Sequence, residues 1–248
     1  KSLEILKKRN INFDSIAGII VESFQGWCAA FYPKKYIKLL KEFTNKHDIC
    51  LTFDEMQAGF SRTGKNFGFQ HYKVKPDLIC VGEGMGGGVP LSGLIGRSDL
   101  LDLPETGSMS STHSANPLVC TAGLTVIKEL TSKKLTKKSE LFGKYIKATL
   151  KKLKKKYPKF ITGIYGEGMI FAIVFNYQNF KNKNHDCNYL VSQICENIMF
   201  SGLLVVHTGR ESIKIGPPLT ITKSALKEMA RELNFTEKDL NAERKKLI

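Results

Sequence analysis

Two acidic residues, Asp54 and Glu83, each stand just past a short apolar run. The first run, Ile49-Cys50-Leu51-Thr52-Phe53, leads into Asp54-Glu55-Met56-Gln57-Ala58-Gly59-Phe60. The second, Leu78-Ile79-Cys80-Val81, leads into Gly82-Glu83-Gly84-Met85-Gly86-Gly87-Gly88-Val89-Pro90. Apolar runs of this kind, ending in polar or glycine-rich residues, read as buried parallel strands whose C-terminal ends face a ligand crevice. Each carboxylate then sits at a strand lip. Two carboxylates facing one crevice could divide acid and base work, as in glycoside hydrolysis. A strand-end aspartate could equally make a turn or a cap. The glycine run at 86–88 lets the backbone pass close to a ligand, but alone it singles out no chemistry.

Positioning these residues requires a β-α-β unit. Ile16–Val21 reads as a buried strand that ends in Glu22-Ser23-Phe24-Gln25-Gly26. Pro33 opens a helix through Tyr36, Leu39, Leu40 and Phe43, proline being suited to a first turn. The Ile49 strand follows, and such a unit expects a right-handed crossover. Ser61–Lys65 is a loop, Lys75-Pro76-Asp77 introduces the Leu78 strand, and Leu91–Gly96 is a further short strand. A polar loop, Gly107–Asn116, precedes a helix from about Leu118 to Leu130, with Asn116 and Pro117 placed as cap and first helical residue. Thr131–Lys138 reads as a joint. Beyond it come a lysine-rich helix, a strand Met169–Phe175 after Gly163–Gly168, a loop Asn176–Asp186 and a helix Tyr189–Met199. Strands Leu203–Val206 and Ser212–Ile215 and a helix Lys223–Leu233 complete the pattern. The fold class expected is α/β: part of a larger, mostly parallel-sheet domain over residues 1–135 and a small α+β domain over 136–248.

The formal net charge of +15 raises nucleic-acid binding as a possibility. However, the densest cluster, Lys147–Lys156, alternates with Leu150, Leu153 and Tyr157 at helical spacing. That is an amphipathic helix with a solvated basic face. No zinc-finger, RRM or basic-zipper pattern accompanies it, so no nucleic-acid partner is expected. No apolar run approaches the roughly 20 residues of a membrane span, so no membrane partner is expected either. Cys28, Cys50, Cys80, Cys120, Cys187 and Cys195 are scattered without a C-x-x-C, and no histidine shows metal-ligand spacing with them. This predicts a reduced, cytoplasmic protein without a metal site. Leu3–Lys8 reads as an amphipathic helix rather than a signal peptide. The chain begins without methionine and is expected to be a fragment of a longer protein.

Five blocks in order now carry a resemblance: V-E-S-F-Q-G, T-F-D-E-M-Q-A-G-F-S-R-T-G, K-P-D-L-I-C-V-G-E-G-M-G-G-G-V-P-L-S-G, S-T-H-S-A-N-P-L and P-P-L-T-I-T. Across roughly residues 11 to 233 the sequence resembles the class III aminotransferases, fold-type-I enzymes dependent on pyridoxal 5′-phosphate. The resemblance implies the second half of the family's large cofactor-binding domain followed by its small C-terminal domain. It also implies a homodimer, and substrates that are a small amine or amino acid and a keto acid or aldehyde. Asp54 matches the aspartate that pairs with the pyridine nitrogen, keeping it protonated so that the ring accepts electron density. Met56 matches the residue packed on the ring, Gln57 the partner of the ring hydroxyl, and Thr112 a phosphate ligand that serves the partner subunit's cofactor.

Three departures from the family pattern stand out. Ser23 replaces the usual proline of the E-P-x-Q-G block, which Glu22 and Gln25 otherwise match. Trp27 stands where many relatives have an acidic residue, and Lys214 where its arginine partner would be. Both ends of that pair have changed, which implies a different substrate pocket. Above all, Glu83 occupies the position of the Schiff-base lysine. Glutamate has no amine with which to attach the cofactor, although a carboxylate can carry protons. Pyridoxal phosphate, or its pyridoxamine form, could then bind only noncovalently. Lys65 lies on a different loop and is not expected to substitute. Three readings of Glu83 stay open: a changed or misread lysine codon, a natural non-catalytic relative used for binding or assembly, or altered cofactor chemistry, as in fold-type-I sugar dehydratases with histidine there.

Overall fold

In the computed structural model, the residues described are 4–5, 8–176 and 187–233. Of the helix expected over Leu3–Lys8, residues 4, 5 and 8 are described and are helical; the rest of it, and nearly all of the loop expected over Asn176–Asp186, lie outside them. In chain order the elements are β1 (Gly18–Glu22), β2 (Phe24–Gln25), β3 (Ala30–Phe31), α1 (Lys34–Lys46), β4 (Cys50–Asp54), β5 (Leu78–Val81) and β6 (Gly93–Gly96). There follow α2 (Ser98–Leu101), α3 (Pro117–Ser132), α4 (Leu135–Lys156), β7 (Ile161–Glu167), β8 (Ile170–Phe175), α5 (Cys187–Phe200), β9 (Val206–His207), β10 (Ser212–Ile215) and α6 (Lys223–Glu232). They form two compact units: residues 1–23, 32–59 and 67–128 in the first, and 24–31, 60–66 and 129–248 in the second.

The first unit holds a sheet in the order β1-β4-β5-β6. The pairs β1–β4 and β4–β5 are parallel, and β6 runs antiparallel along β5. The sheet is therefore mostly parallel, as the apolar runs predict. Leu51 and Phe53 alternate inward on β4, and α1 turns Ile37 and Phe43 to the interior. Asp77 ties these pieces at their lower ends. Its Oδ2 accepts the Leu51 amide at 2.9 Å and the Lys41 ammonium at 3.0 Å, and its Oδ1 accepts an Arg97 guanidinium N–H at 3.2 Å. One carboxylate thus joins α1, the start of β4 and the residue after β6. Several large apolar side chains of this unit stay exposed, among them Ile20, Leu94, Leu118 and Leu124.

The second unit holds an antiparallel sheet in the order β7-β8-β10-β9. Ile146, Leu150 and Leu153 of α4 and Leu226 and Met229 of α6 share one core with Phe171, Ile173, Phe175, Ile213 and Ile215 of the sheet. The lysine-rich helix is longer than its densest cluster indicates. The joint expected over Thr131–Lys138 contracts to the break between α3 and α4, where Lys134 takes a left-handed φ of 50°. Strand β7 was not expected, because Gly163 and Gly166 dilute its alternation, yet its residues still alternate between buried and open. The β2–β3 hairpin is likewise unexpected, each strand being too short for a periodic signal.

Asp77→Ala leaves the Leu51 amide unpaired and removes two ion pairs, and should lower stability by about 1–3 kcal/mol in urea unfolding. Burial pushes the Asp77 carboxyl up, but the Leu51 amide, Lys41 and Arg97 outweigh it and hold it below the ordinary aspartate value. Its contribution is present above the unfolded-state value and is lost as pH falls through the lower folded value. The gap between variant and parent should therefore close in strong acid and persist at neutral pH.

Candidate active site

Parallel pairing places three residues in one row at the C-terminal edge of the first unit's sheet: Glu22, Asp54 and Cys80. Asp54 is half-buried, and its Oδ1 accepts the Met56 amide at 2.9 Å, a local turn that fixes the carboxylate where β4 ends. Burial, and then the Asp54 charge, push the Cys80 thiol up, which leaves it a poor nucleophile. Two residues beyond Cys80 comes Gly82. A Cβ there would lie 2.5 Å from the Met56 sulfur, so Met56 packs against the Gly82 backbone and would have to shift to admit a side chain. Glu83 follows directly, exposed, at the head of a 3-10 turn (Glu83–Met85), with a left-handed φ of 39°. Left-handed backbone at a glutamate is uncommon and marks a constrained position. The structure therefore brings Asp54, Met56 and the Glu83 turn to one edge of one unit. Gln57 is half-buried on the turn after Asp54, and Thr112 is exposed in the polar loop before α3. At the start of α3, the Asn116 side chain caps by accepting the Val119 amide at 3.2 Å.

Glu55, which the motifs assign no role, is the most deeply committed acid in this region. It is fully buried and accepts two backbone amides, Gly68 at 2.6 Å and Phe69 at 2.8 Å. The Ser23 hydroxyl lies beside it, buried and without a hydrogen bond of ordinary geometry among the described residues. The Tyr72 hydroxyl donates to the Ser23 carbonyl and accepts the Tyr32 amide at 3.0 Å. Burial pushes the Glu55 carboxyl up, against the two amides and Ser23, which pull it down. Alternation was the signal for it: Leu51, Phe53 and Glu55 share the inward face of one strand and its extension.

Gln25, Trp27 and Lys214 come together in the second unit. The Lys214 ammonium donates to the Gly26 carbonyl at 3.2 Å, and the Trp27 ring rests on Gly209, where a Cβ would lie 3.0 Å from it. Gln25 accepts the Cys28 thiol at 3.6 Å. Glu22, by contrast, belongs to the strand edge of the first unit. Arg62, also unassigned by the motifs, stitches the second unit's loop. Its guanidinium donates to the Met169 carbonyl at 3.1 Å and the Pro217 carbonyl at 2.6 Å, and its own carbonyl accepts the Met169 amide at 2.8 Å.

A model of the family described as "Aminotransferase class-III" matches residues 1–235. The chain belongs to the class-III aminotransferase family. It is 34% identical over 228 residues to an acetylornithine aminotransferase of Prochlorococcus marinus, covering 91% of this chain and 52% of that protein. It is also 34% identical over 218 residues to a leucine/methionine racemase of Thermococcus litoralis, covering 87% of this chain and 48% of that protein. A crystal structure of an acetylornithine aminotransferase from Elizabethkingia anophelis superposes with a TM-score of 0.81 at 28% identity, over 94% of this chain and 56% of that one. The chain thus spans about half the length of the curated relatives it matches. The architecture is that of fold-type-I pyridoxal-phosphate enzymes.

The donor set fits the family's cofactor in part. The Asp54 carboxylate suits a protonated ring nitrogen, and Met56 over Gly82 suits a flat ring. Glu83 carries a carboxylate and no amine that could attach the cofactor covalently.

Glu55→Gln puts an N–H₂ against one of two N–H donors and should cost about 1–3 kcal/mol in chemical denaturation. A carboxyl raised in the fold takes up protons on folding, so its contribution falls as pH rises from the ordinary glutamate value through the raised one, then levels. That slope in stability against pH should vanish in the variant.

Proposed function

We propose that the intact protein containing this chain is built as an aminotransferase, moving an amino group between an amine or amino acid and a keto acid or aldehyde. The observation that carries the proposal is the shared edge on which Asp54, Met56 and the Glu83 turn meet. In this reading Asp54 holds the proton on the ring nitrogen of pyridoxal phosphate, Met56 covers the ring and Gln57 meets the ring hydroxyl. Once bound, the cofactor supplies an electron sink for the substrate α-carbon. Thr112, exposed near the start of α3, serves as a phosphate ligand for a partner subunit's cofactor in a homodimer. The exposed apolar side chains Ile20, Leu94, Leu118 and Leu124 support association, since such surface is usually covered in the working molecule. The division of labour falls near residue 135, with cofactor binding before it and the small α+β domain after it. Cys28, Cys50, Cys80, Cys120 and Cys195 are free thiols, in keeping with a cytoplasmic setting. No helix among the described residues is long and apolar enough to cross a membrane.

Gln25, Trp27 and Lys214, which meet within the second unit, set the substrate pocket in this proposal. Lys214 reaches the carbonyl just before Trp27, so the exchanged pair still bridges the hairpin and β10. A lysine–carbonyl bond replaces an ion pair, and an indole replaces an acid, which favours a substrate less polar at that end.

Glu83 supports a second reading, in which the protein binds the cofactor or its amine form noncovalently and turns over little or nothing. The residue can accept or release a proton at its carboxylate, yet it cannot attach the cofactor. The two readings separate at this one residue. As the chain stands, borohydride treatment of the intact protein with pyridoxal phosphate should leave no stable adduct at residue 83 by mass spectrometry. Glu83→Lys should create that adduct and raise half-transamination by about 10²–10⁴-fold. A stoichiometric adduct on any lysine of the unaltered protein would overturn the reading that it turns over little or nothing. A Glu83→Lys protein that binds no cofactor would leave the binding-only reading without its pocket as well.

A further inference from the structure

The charge of +15 has no part in the proposed chemistry, and much of it gathers on α4, which carries nine lysines against one glutamate. Several of these lysines are engaged. Lys144 pairs with Glu140, Lys147 with Glu167, Lys154 donates to the Thr162 carbonyl and Lys138 lies over the Phe142 ring. Those at the C-terminal end face a different neighbour. Here α4 and α6 border a surface cleft of about 310 Å³, lined by Lys152 and Lys156 from one helix and Lys227 and Arg231 from the other, with Tyr145 on its wall and Leu153 on its floor. No carboxylate of the described residues lines it. Lys152, Lys227 and Arg231 make no ion pair among the described residues.

We propose that this cleft is a binding site for a small organic or inorganic anion carrying at least two phosphoryl groups. Both pairs, Lys152/Lys156 and Lys227/Arg231, set like charges at i,i+4, where they repel each other, and Lys156 also lies over the Tyr157 ring. Two such pairs on adjoining helices turn toward one concavity, and a concave surface focuses the field of its charges. Arg231 can meet a phosphoryl oxygen pair as a fork, while the lysines act as point charges around it. The shape selects the class of ligand. A cleft of this size with a leucine floor and a tyrosine wall admits a compact molecule, whereas a nucleic-acid backbone seeks a continuous basic ridge.

The test is isothermal titration of inorganic tripolyphosphate into the intact protein at about 0.15 M salt, where exposed charges farther apart than about 8 Å are screened. One saturable site per chain is expected. Lys227→Glu combined with Arg231→Glu should weaken it by at least about tenfold, and the milder Lys152→Gln with Arg231→Gln by a smaller factor in the same direction, roughly as loss of charge-assisted bonds requires. Lys75→Glu with Lys137→Glu makes the same change of charge outside the cleft and should change affinity less than about twofold under this screening. All five positions are exposed, so unchanged circular dichroism and melting are expected for each variant. Absence of saturable binding overturns the proposal, as does an equal loss in both charge-reversed variants, which would mark general surface attraction. Tighter binding of a short single-stranded DNA with the same sensitivity to Lys227 and Arg231 would overturn it in favour of a nucleic-acid surface.

Discussion

Parallel pairing of β1, β4 and β5 is the constraint from which the candidate site follows. Parallel strands all end at the same edge, and the register Glu22–Asp54–Cys80 makes that edge a single row. Each chain leaving the row must turn at once, and each turn is built differently. After β4, the Asp54 carboxylate captures the Met56 amide and Glu55 plunges back inward. After β5, the glycine-rich segment keeps close to the Met56 sulfur and Glu83 adopts left-handed backbone. Polar groups reach the edge because the strands beneath them are held by backbone pairing and by the Asp77 junction at the other end. A site at strand ends thus costs the core little, since the buried strand interiors stay apolar.

Glu55 shows how such an edge is kept rigid. A buried carboxylate is expensive unless it is satisfied, and this one receives two amides from the turn at Gly68–Tyr72. Tyr72 from the same turn reaches the Ser23 carbonyl, one residue past the end of β1. The turn is therefore fastened both to the residue after Asp54 and to the residue after Glu22. Small losses in this network would be felt as misplacement of Asp54, because all its fastenings lie within two residues of the strand ends.

Much of the first unit was legible in the sequence. Its strands are continuous apolar runs bounded by glycine, proline or acid, and its helices carry clear apolar faces, so periodicity and punctuation agree. Asp54 and Glu83 were legible because each directly follows, or nearly follows, such a run. Less of the second unit could be read. Strand β7 contains two glycines, and β2 and β3 are two residues each, too short to show a period, while the strand expected over Leu203–Val206 is found as the two residues Val206–His207 of β9. The roles of Glu55, Arg62 and Asp77 lie in hydrogen bonds to backbone groups far along the chain. Arg62 bonds to the carbonyl of Pro217, 155 residues away. No local pattern encodes a partner at that distance. The basic cleft was hidden for the same reason. The lysines of α4 read as a wet face, and only the placement of α6 beside it turns that face into a concavity.

The backbone at residue 83 is set by its neighbours rather than by its side chain. Gly82 is extended, the Met85 amide bonds to the Gly82 carbonyl at 2.9 Å, and the Gly86 amide bonds to the Glu83 carbonyl at 3.3 Å. A Cβ on Gly86 would collide with the Val89 carbonyl, so the turn beyond is also fixed by glycine. Holding a residue other than glycine in the left-handed region costs about 1–3 kcal/mol wherever it is imposed, and lysine would bear it as glutamate does. The Glu83 side chain is exposed and makes no hydrogen bond or ion pair among the described residues. The strained turn is thus retained although its present side chain gains nothing from it. In the aminotransferase reading proposed above, such a turn would present a side chain at a fixed angle, as cofactor attachment would demand, and the residue that fills it is an acid.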